Sequence, residues 1–219
     1  MLAFVNISIN MTNMKLASDR RTAVKRSYRQ GARALAAAET HQRILASLMK
    51  RLEDTAYEDI RLEQVAADAG VTVQTVLRRF GSKEELLLAS AKAFGEQILE
   101  RRAAATGGTR EAVSALVDDY EITGDVTIRL LAQERFEPVR RVLALGRSAH
   151  RDWVERSFAR ALQGTARSLR EQRIAALIVA TDVYTWKLLR RDQQRSRQAT
   201  AAIVNEIVEA LQHAFTERN

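Results

Sequence analysis

Apolar residues along this 219-residue chain recur with a helical period rather than an alternating one. Ile44, Leu45, Leu48 and Leu52 share one face, which predicts a first helix over residues 40–54 with Thr40 as its N-cap. Leu62, Val65, Ala66 and Ala69 follow at i, i+3, i+4 and i+7 and predict a short second helix over 61–69. Gly70 ends it, because glycine takes the left-handed conformation of a sharp turn without steric cost. Thr72 is the N-cap of a third helix that runs to Phe80, and Ser82-Lys83-Glu84-Glu85 has the form of a capping box for a fourth helix reaching about Arg101. After a linker "ATGGT" at 105–109, further helices are expected near 110–122, 125–135, 138–162, 167–190 and 197–216. The breaks between them are "TGD" at 123–125, Pro138, "QGT" at 163–165 and "RDQQRSRQ" at 191–198. No stretch alternates with a period of two for long enough to be a strand, so the expected fold class is all-α.

The third helix carries the chemistry. At about 100° per residue, Val73, Val76, Leu77 and Phe80 fall on one arc, and Thr72, Gln74, Thr75, Arg78 and Arg79 take the rest. One side suits a small core; the other is polar, cationic and rich in donors. A helix this short is not stable alone and has to pack on the two before it. Helix, four-residue turn, helix is the helix-turn-helix layout, whose second helix enters the DNA major groove. Ala66 permits close approach of the two helices, Gly70 makes the turn, and Val76 packs back on the second helix.

Composition narrows the alternatives. One proline and nine glycines suit helices better than a turn-rich β fold, and the absence of cysteine excludes disulfides, thiolate metal sites and thiol nucleophiles. The first eleven residues, "MLAFVNISINM", lack the basic region and cleavage site of a secretory leader, and no run approaches the ~20 apolar residues of a membrane span. A cytoplasmic protein without membrane contact is expected. The sequence has no phosphate-binding glycine loop, nucleophile elbow or zinc-protease helix. Its three histidines, His41, His150 and His213, are far apart in sequence and have no ligand-spaced partners. No enzyme activity, metal or cofactor is expected.

The net charge of +8 is unevenly spread. Residues 1–35 hold seven Lys or Arg against one acid, residues 36–90 hold seven bases and nine acids, and the remainder holds 21 bases and 17 acids. The basic surplus is mainly an N-terminal arm. Such an arm tracks a phosphate backbone or serves as a solubilising tail, and both readings are open. The net −2 of the reading region implies that acids such as Glu53, Asp54, Glu58 and Asp59 lie away from the duplex.

The stretch "RILASLMKRLEDTAYEDIRLEQVAADAGVTVQTVLRRFGSKEELLLA" resembles the DNA-binding domain of the tetracycline-repressor (TetR) family of bacterial regulators. A-G-V, T-x-x-T, R-x-F and S-K-E-x-L stand in the family's register within residues 40–90. Beside the basic arm (1–35) that the charge count marks, the resemblance implies a three-helix DNA-binding domain (36–86) and a helical effector-binding and dimerisation domain (87–219). "TDVYTWKLLRRDQQRSRQATAAIVNEIVEAL" is similar to the family's last two helices, which form a four-helix bundle in the homodimer. The chain departs from the family where Leu77 replaces a frequent Tyr, Val73 and Gln74 a frequent Lys or Gly, Arg61 a capping Ser or Thr, and Arg79 a frequent His. An unusual operator is expected.

Side-chain chemistry assigns roles. Gln74 can pair bidentately with adenine and Arg78 with guanine, each contact worth ~1–3 kcal/mol of discrimination. Arg61, Thr72, Thr75, Arg79 and Lys83 are candidate phosphate anchors, and Val73 and Leu77 hold DNA-facing positions of the family pattern. The resemblance also implies a small-molecule site among helices four to eight, with Phe94, Ile98, Tyr120, Phe136, His150, Trp153 and Tyr184 as candidate lining residues. For each of these a core position is the alternative, and Tyr184 suits a dimer interface equally. The sequence thus points to a homodimeric regulator, a repressor released from a palindromic operator by an effector. The alternatives are an architectural DNA-binding protein and a helical small-molecule-binding protein.

Overall fold

The computed structural model describes residues 31, 33–103 and 107–217, and the chain divides into two compact units, residues 1–44 and 45–219. The expected basic arm lies almost wholly outside the described residues. Every described element is helical.

In the first unit, residues 33–44 are helical; they belong to helix α1, whose described residues are 33–52. It starts well before Thr40 because "ALAAA", residues 34–38, is made of strong helix formers. Thr40 is therefore no N-cap: its hydroxyl donates back to the carbonyl of Ala36 at 2.7 Å, inside the helix.

The second unit contains the rest of α1, a 3-10 turn (Tyr57–Asp59), α2 (Leu62–Asp68), α3 (Val73–Phe80) and α4 (Lys83–Ala103). Leu45, Leu48, Leu52, Ile60, Val65, Ala66, Val76, Leu86 and Leu87 are buried on the inner faces of this group. Both predicted glycine turns take the left-handed region, Gly70 at φ 66° and Gly81 at φ 82°. The Ser82 hydroxyl accepts from the Glu85 amide at 3.2 Å and caps α4.

Six further helices complete the unit: α5 (Thr109–Leu131), α6 (Glu137–Ser157), α7 (Ala159–Leu162), α8 (Arg167–Thr181), α9 (Val183–Lys187) and α10 (Arg197–Glu217). Their shared core includes Val113, Leu116, Val154, Phe158, Leu177, Trp186 and Val208. Three predicted boundaries change. "TGD" does not break α5, because Gly124 is where the Trp186 ring packs: a Cβ there would stand 2.3 Å from the ring carbon Cζ3. The helix expected over 138–162 divides at Phe158, and the one over 167–190 divides at Asp182. Asp182 is extended and accepts from the Tyr184 amide at 2.8 Å, capping α9, which runs into a π-turn, Leu188–Asp192.

The outer face of α5 is tied down by charge. Asp118, Glu121 and Asp125, three and four residues apart, bind Arg197, Arg190 and Arg191 of the C-terminal segment. The end of α5 grips the turn after α1. Arg129 Nη1 donates to the Leu52 carbonyl at 2.9 Å, and the Tyr57 amide donates to Gln133 Oε1 at 2.8 Å. Gln133 Nε2 in turn donates to the Arg129 carbonyl at 3.0 Å, so the two clamp residues are linked.

Candidate nucleic-acid interface and cavity

Helix α3 is fixed by one buried side chain and one cap. Val76 is fully buried, and the Thr72 hydroxyl accepts from the Thr75 amide at 3.2 Å while pairing with the Thr75 hydroxyl at 3.0 Å. Gln74 and Arg78 are exposed, as is Thr72; Val73, Thr75, Arg79 and Phe80 are half-buried. Leu77 departs from the helical-wheel expectation. It is 36% exposed rather than in the core, where Val76 is the fully buried side chain of the helix. The solvent face of α3 therefore presents an amide, a guanidinium, hydroxyls and one apolar side chain.

Arg61 is exposed at the start of α2, and its amide donates to Gln64 Oε1 at 3.0 Å. Lys83 turns inward. Its ammonium donates to the Ile60 carbonyl at 2.6 Å and the Glu58 carbonyl at 3.3 Å, and it stands 4.4 Å from the Tyr57 ring centroid. Burial lowers its pKa against the opposing pull of Glu84, Asp59 and Glu58. Its geometry is thus that of a strut for the turn before α2. Acids of this region are bound by nearby arginines: Glu58 by Arg135, Asp68 by Arg51 and Glu85 by Arg141. The partners Arg135 and Arg141 come from sequence-distant segments, so local charge counting does not find them.

A cavity of about 730 Å³ opens among α4, α5, α6, α8 and α9. Ile98, Tyr120, His150 and Tyr184 line it, together with Leu99, Arg102, Thr123, Thr127, Leu143 and Arg147. Three candidates lie outside the lining. Trp153 is core, with its ring stacked on His150 at 5.5 Å and set edge-on to Phe158 at 5.6 Å. Phe136 is the residue before α6, covered by the Arg135 guanidinium at 4.7 Å. Phe94 is half-buried on α4. A search restricted to aromatic residues picks the wrong face for these three, whereas Arg102 follows Ile98 by four residues and shares its helix face on spacing alone.

Electrostatics in the wall are largely settled internally. Tyr120 donates its hydroxyl proton to the Thr181 carbonyl at 3.1 Å, and burial raises its pKa. The Thr181 hydroxyl donates to the Leu177 carbonyl at 2.7 Å, which leaves it to accept from His150 Nε2 at 3.1 Å. His150 is therefore the Nε2–H tautomer with a buried, unpartnered Nδ1. Burial, with a smaller contribution from Arg102, pushes its pKa down to about 4, so the ring is neutral. Arg147 is gripped by both oxygens of Glu134, and Arg151 by Glu155 and Glu171. Among the described residues no cluster of three His, Asp or Glu is arranged to hold a metal, and no helix is long and apolar enough to cross a membrane.

Residues 44–90 match the family described as bacterial regulatory proteins, tetR family. No curated protein matches the chain. Among solved structures, a TetR-family transcriptional regulator from Streptomyces coelicolor is similar at a TM-score of 0.65 and 17% identity, over 81% of this chain and 96% of that one. The transcriptional regulator FadR from Bacillus subtilis, in complex with stearoyl-CoA, is similar at 0.58 and 17%, over 78% and 96%. A transcriptional regulator from Saccharomonospora viridis, in complex with choline, is similar at 0.59 and 17%, over 78% and 96%. Residues 44–90 thus match the tetR family of bacterial regulatory proteins, and the chain as a whole has an all-helical fold similar to that of these solved regulators.

Proposed function

We propose that this protein is a homodimeric, sequence-specific transcriptional repressor released from a palindromic operator by a small molecule. The observation that carries the DNA-binding part is the exposed face of α3: Gln74 and Arg78 project from a short helix held by Val76 and capped by Thr72. Gln74 reads adenine and Arg78 guanine, while Thr72, Thr75, Arg79 and Arg61 set the register on phosphates. Residues 36–86 form the reading head, and residues 87–219 sense and dimerise. Exposed Val179 on α8 and Ile207 on α10 support pairing through the last two long helices. Two half-sites about one helical turn apart, or somewhat more, match such a dimer. Transcriptional control implies a cytoplasmic location.

The 730 Å³ cavity supports the effector reading, being of drug-molecule size, and two solved regulators of similar fold hold choline and stearoyl-CoA. A ligand shifts an equilibrium only by its differential affinity for the two states. α5 offers the connection, since Thr123, Thr127 and Leu131 line the cavity while Arg129 and Gln133 grip the turn after α1. In vitro operator selection followed by gel shift tests the reading. A near-palindromic consensus bound far above random DNA is expected; equal affinity for random DNA would make the protein architectural instead.

A further inference from the structure

One cation in the cavity wall has donors to spare beyond its ion pair. Arg102 projects from α4 with its side chain only 8% exposed, and its Nε donates to Asp119 Oδ2 at 2.6 Å. Its two Nη groups make no hydrogen bond to a carboxylate or carbonyl among the described residues, and the Tyr120 hydroxyl is a hydrogen-bonding neighbour of the guanidinium. The guanidinium carbon lies 5.6 Å from the Tyr120 ring centroid and 5.4 Å from that of Trp153. Tyr120 gives its hydroxyl proton to Thr181 and leaves a lone pair beside this group.

The charge balance agrees with the geometry. Asp119 is 2% exposed and serves two cations, because Arg101 Nε also donates to its Oδ1 at 2.8 Å. One carboxylate therefore offsets two guanidinium groups. Arg147 and Arg151, the other cations of the lining, each hold their own acids. Asp182 is the carboxylate of the lining, with one oxygen spent on the Tyr184 amide. It opposes a second negative charge on any occupant. Apolar surface from Ile98, Leu99, Leu131, Leu143 and Ile178 makes up much of the remaining wall.

We propose that the cavity binds an amphipathic monoanion, with its carboxylate-type head on the Nη groups of Arg102 and its apolar body against the surrounding aliphatic side chains. This assignment rests on the effector reading of the cavity and narrows it to a chemical class. A planar fork of donors suits a carboxylate, and such charge-assisted contacts are strongest where water is excluded. A neutral alcohol leaves the surplus charge without a partner, and a quaternary ammonium adds to it.

Three compounds with one chain length decide the matter on the full-length protein. Decanoate, decanol and decyltrimethylammonium are titrated by calorimetry and by tryptophan fluorescence, since Trp153 adjoins Arg102. Decanoate is expected to bind about tenfold or more tighter than decanol, the fold-change that a hydrogen bond to a charged group confers, and the cation weakest. Arg102→Gln reduces decanoate to the affinity of decanol and leaves decanol unchanged; Arg102→Lys, which keeps the charge and loses the fork, falls between. Equal wild-type binding of decanoate and decanol, or a preference for the cation, overturns the monoanion assignment and leaves the effector reading intact. Saturable decanoate binding that depends on Arg102 but does not alter affinity for selected operator DNA supports the assignment and sinks the effector reading. Failure of all three compounds to bind overturns the assignment. Should Arg102→Gln not fold, the wild-type series still decides.

Discussion

The ring of Trp186 occupies the space where any side chain at position 124 would begin, with a Cβ at Gly124 falling 2.3 Å from Cζ3 and 2.5 Å from Cη2. The ring is anchored elsewhere too: its Nε1 donates to Glu121 at 2.9 Å, and the Arg191 guanidinium lies 4.6 Å from it. Two opposing effects meet at this glycine. Alanine favours a helix interior by about 1 kcal/mol over glycine. Overpacking against a fixed ring costs about 1–3 kcal/mol or more. Since Trp186 is 1% exposed and has no room to withdraw, packing wins. Gly124→Ala is expected to lower unfolding stability in urea by up to about 2 kcal/mol. In a Trp186→Leu background the same change is expected to cost much less, so the double-mutant cycle is non-additive.

Gln133 holds the buried amide of Tyr57, and nothing else among the described residues bonds that N–H. Gln133→Leu removes the acceptor while keeping bulk. A buried donor left without a partner costs about 1–3 kcal/mol. Amide exchange at Tyr57 is expected to accelerate in this variant before the core of α5, α8 and α10 opens. Uniform protection across both regions would contradict the clamp.

Gln74 and Arg78 differ from Thr72 in what their removal costs. Gln74→Ala and Arg78→Ala are expected to relax base preference at one position per half-site, by about 1–3 kcal/mol, without altering stability. Thr72→Ala removes the α3 cap and is expected to cost about 1 kcal/mol of stability. Competitive selection on operator libraries reads the first pair; denaturant midpoints read the third.

His150 sets a pH dependence. Its folded-state pKa of about 4 lies below the ordinary 6.5. As pH falls from 6.5 towards 4, the unfolded chain takes up a proton that the folded chain refuses, so stability falls across that window and this contribution levels off below it. Asp125, Glu121, Glu134 and Glu155, held below their ordinary values by arginine hydrogen bonds, lose stabilisation at still lower pH. His150→Phe is expected to flatten the stability profile between pH 6.5 and 4. An unchanged slope in urea titrations would show the histidine to be charged in the folded state.

Removing residues 1–30 is expected to weaken operator binding and flatten its dependence on salt, because six of the chain's 35 Lys and Arg lie there. Every phosphate that the shortened chain no longer neutralises reduces the slope of log K against log salt by about 0.9. An unchanged slope would identify the segment as a tail that does not touch DNA.

The helical period, the Ala66–Gly70–Val76 spacing and the Ser82 cap are legible in the sequence because local geometry dictates each of them. So is the division of α3 into a buried Val76 and an exposed Gln74 and Arg78. Leu77 is not, since a wheel gives direction but not the depth of the neighbouring surface. The start of α1 is not legible either, because Thr40 has the chemistry of a cap while the alanines before it extend the helix past it.

Sequence by itself determined that the chain is helical, where α3 lies and that Gln74 and Arg78 stand on its exposed face, because those properties follow from interactions within about four residues. Tertiary structure decided what depends on partners far along the chain. It turned Lys83 inward onto Ile60, let Gly124 stay helical beneath Trp186, and put Trp153 in the core rather than the cavity. It also left Arg102 sharing one carboxylate with Arg101, a charge imbalance that emerges only when α4 and α5 are packed together.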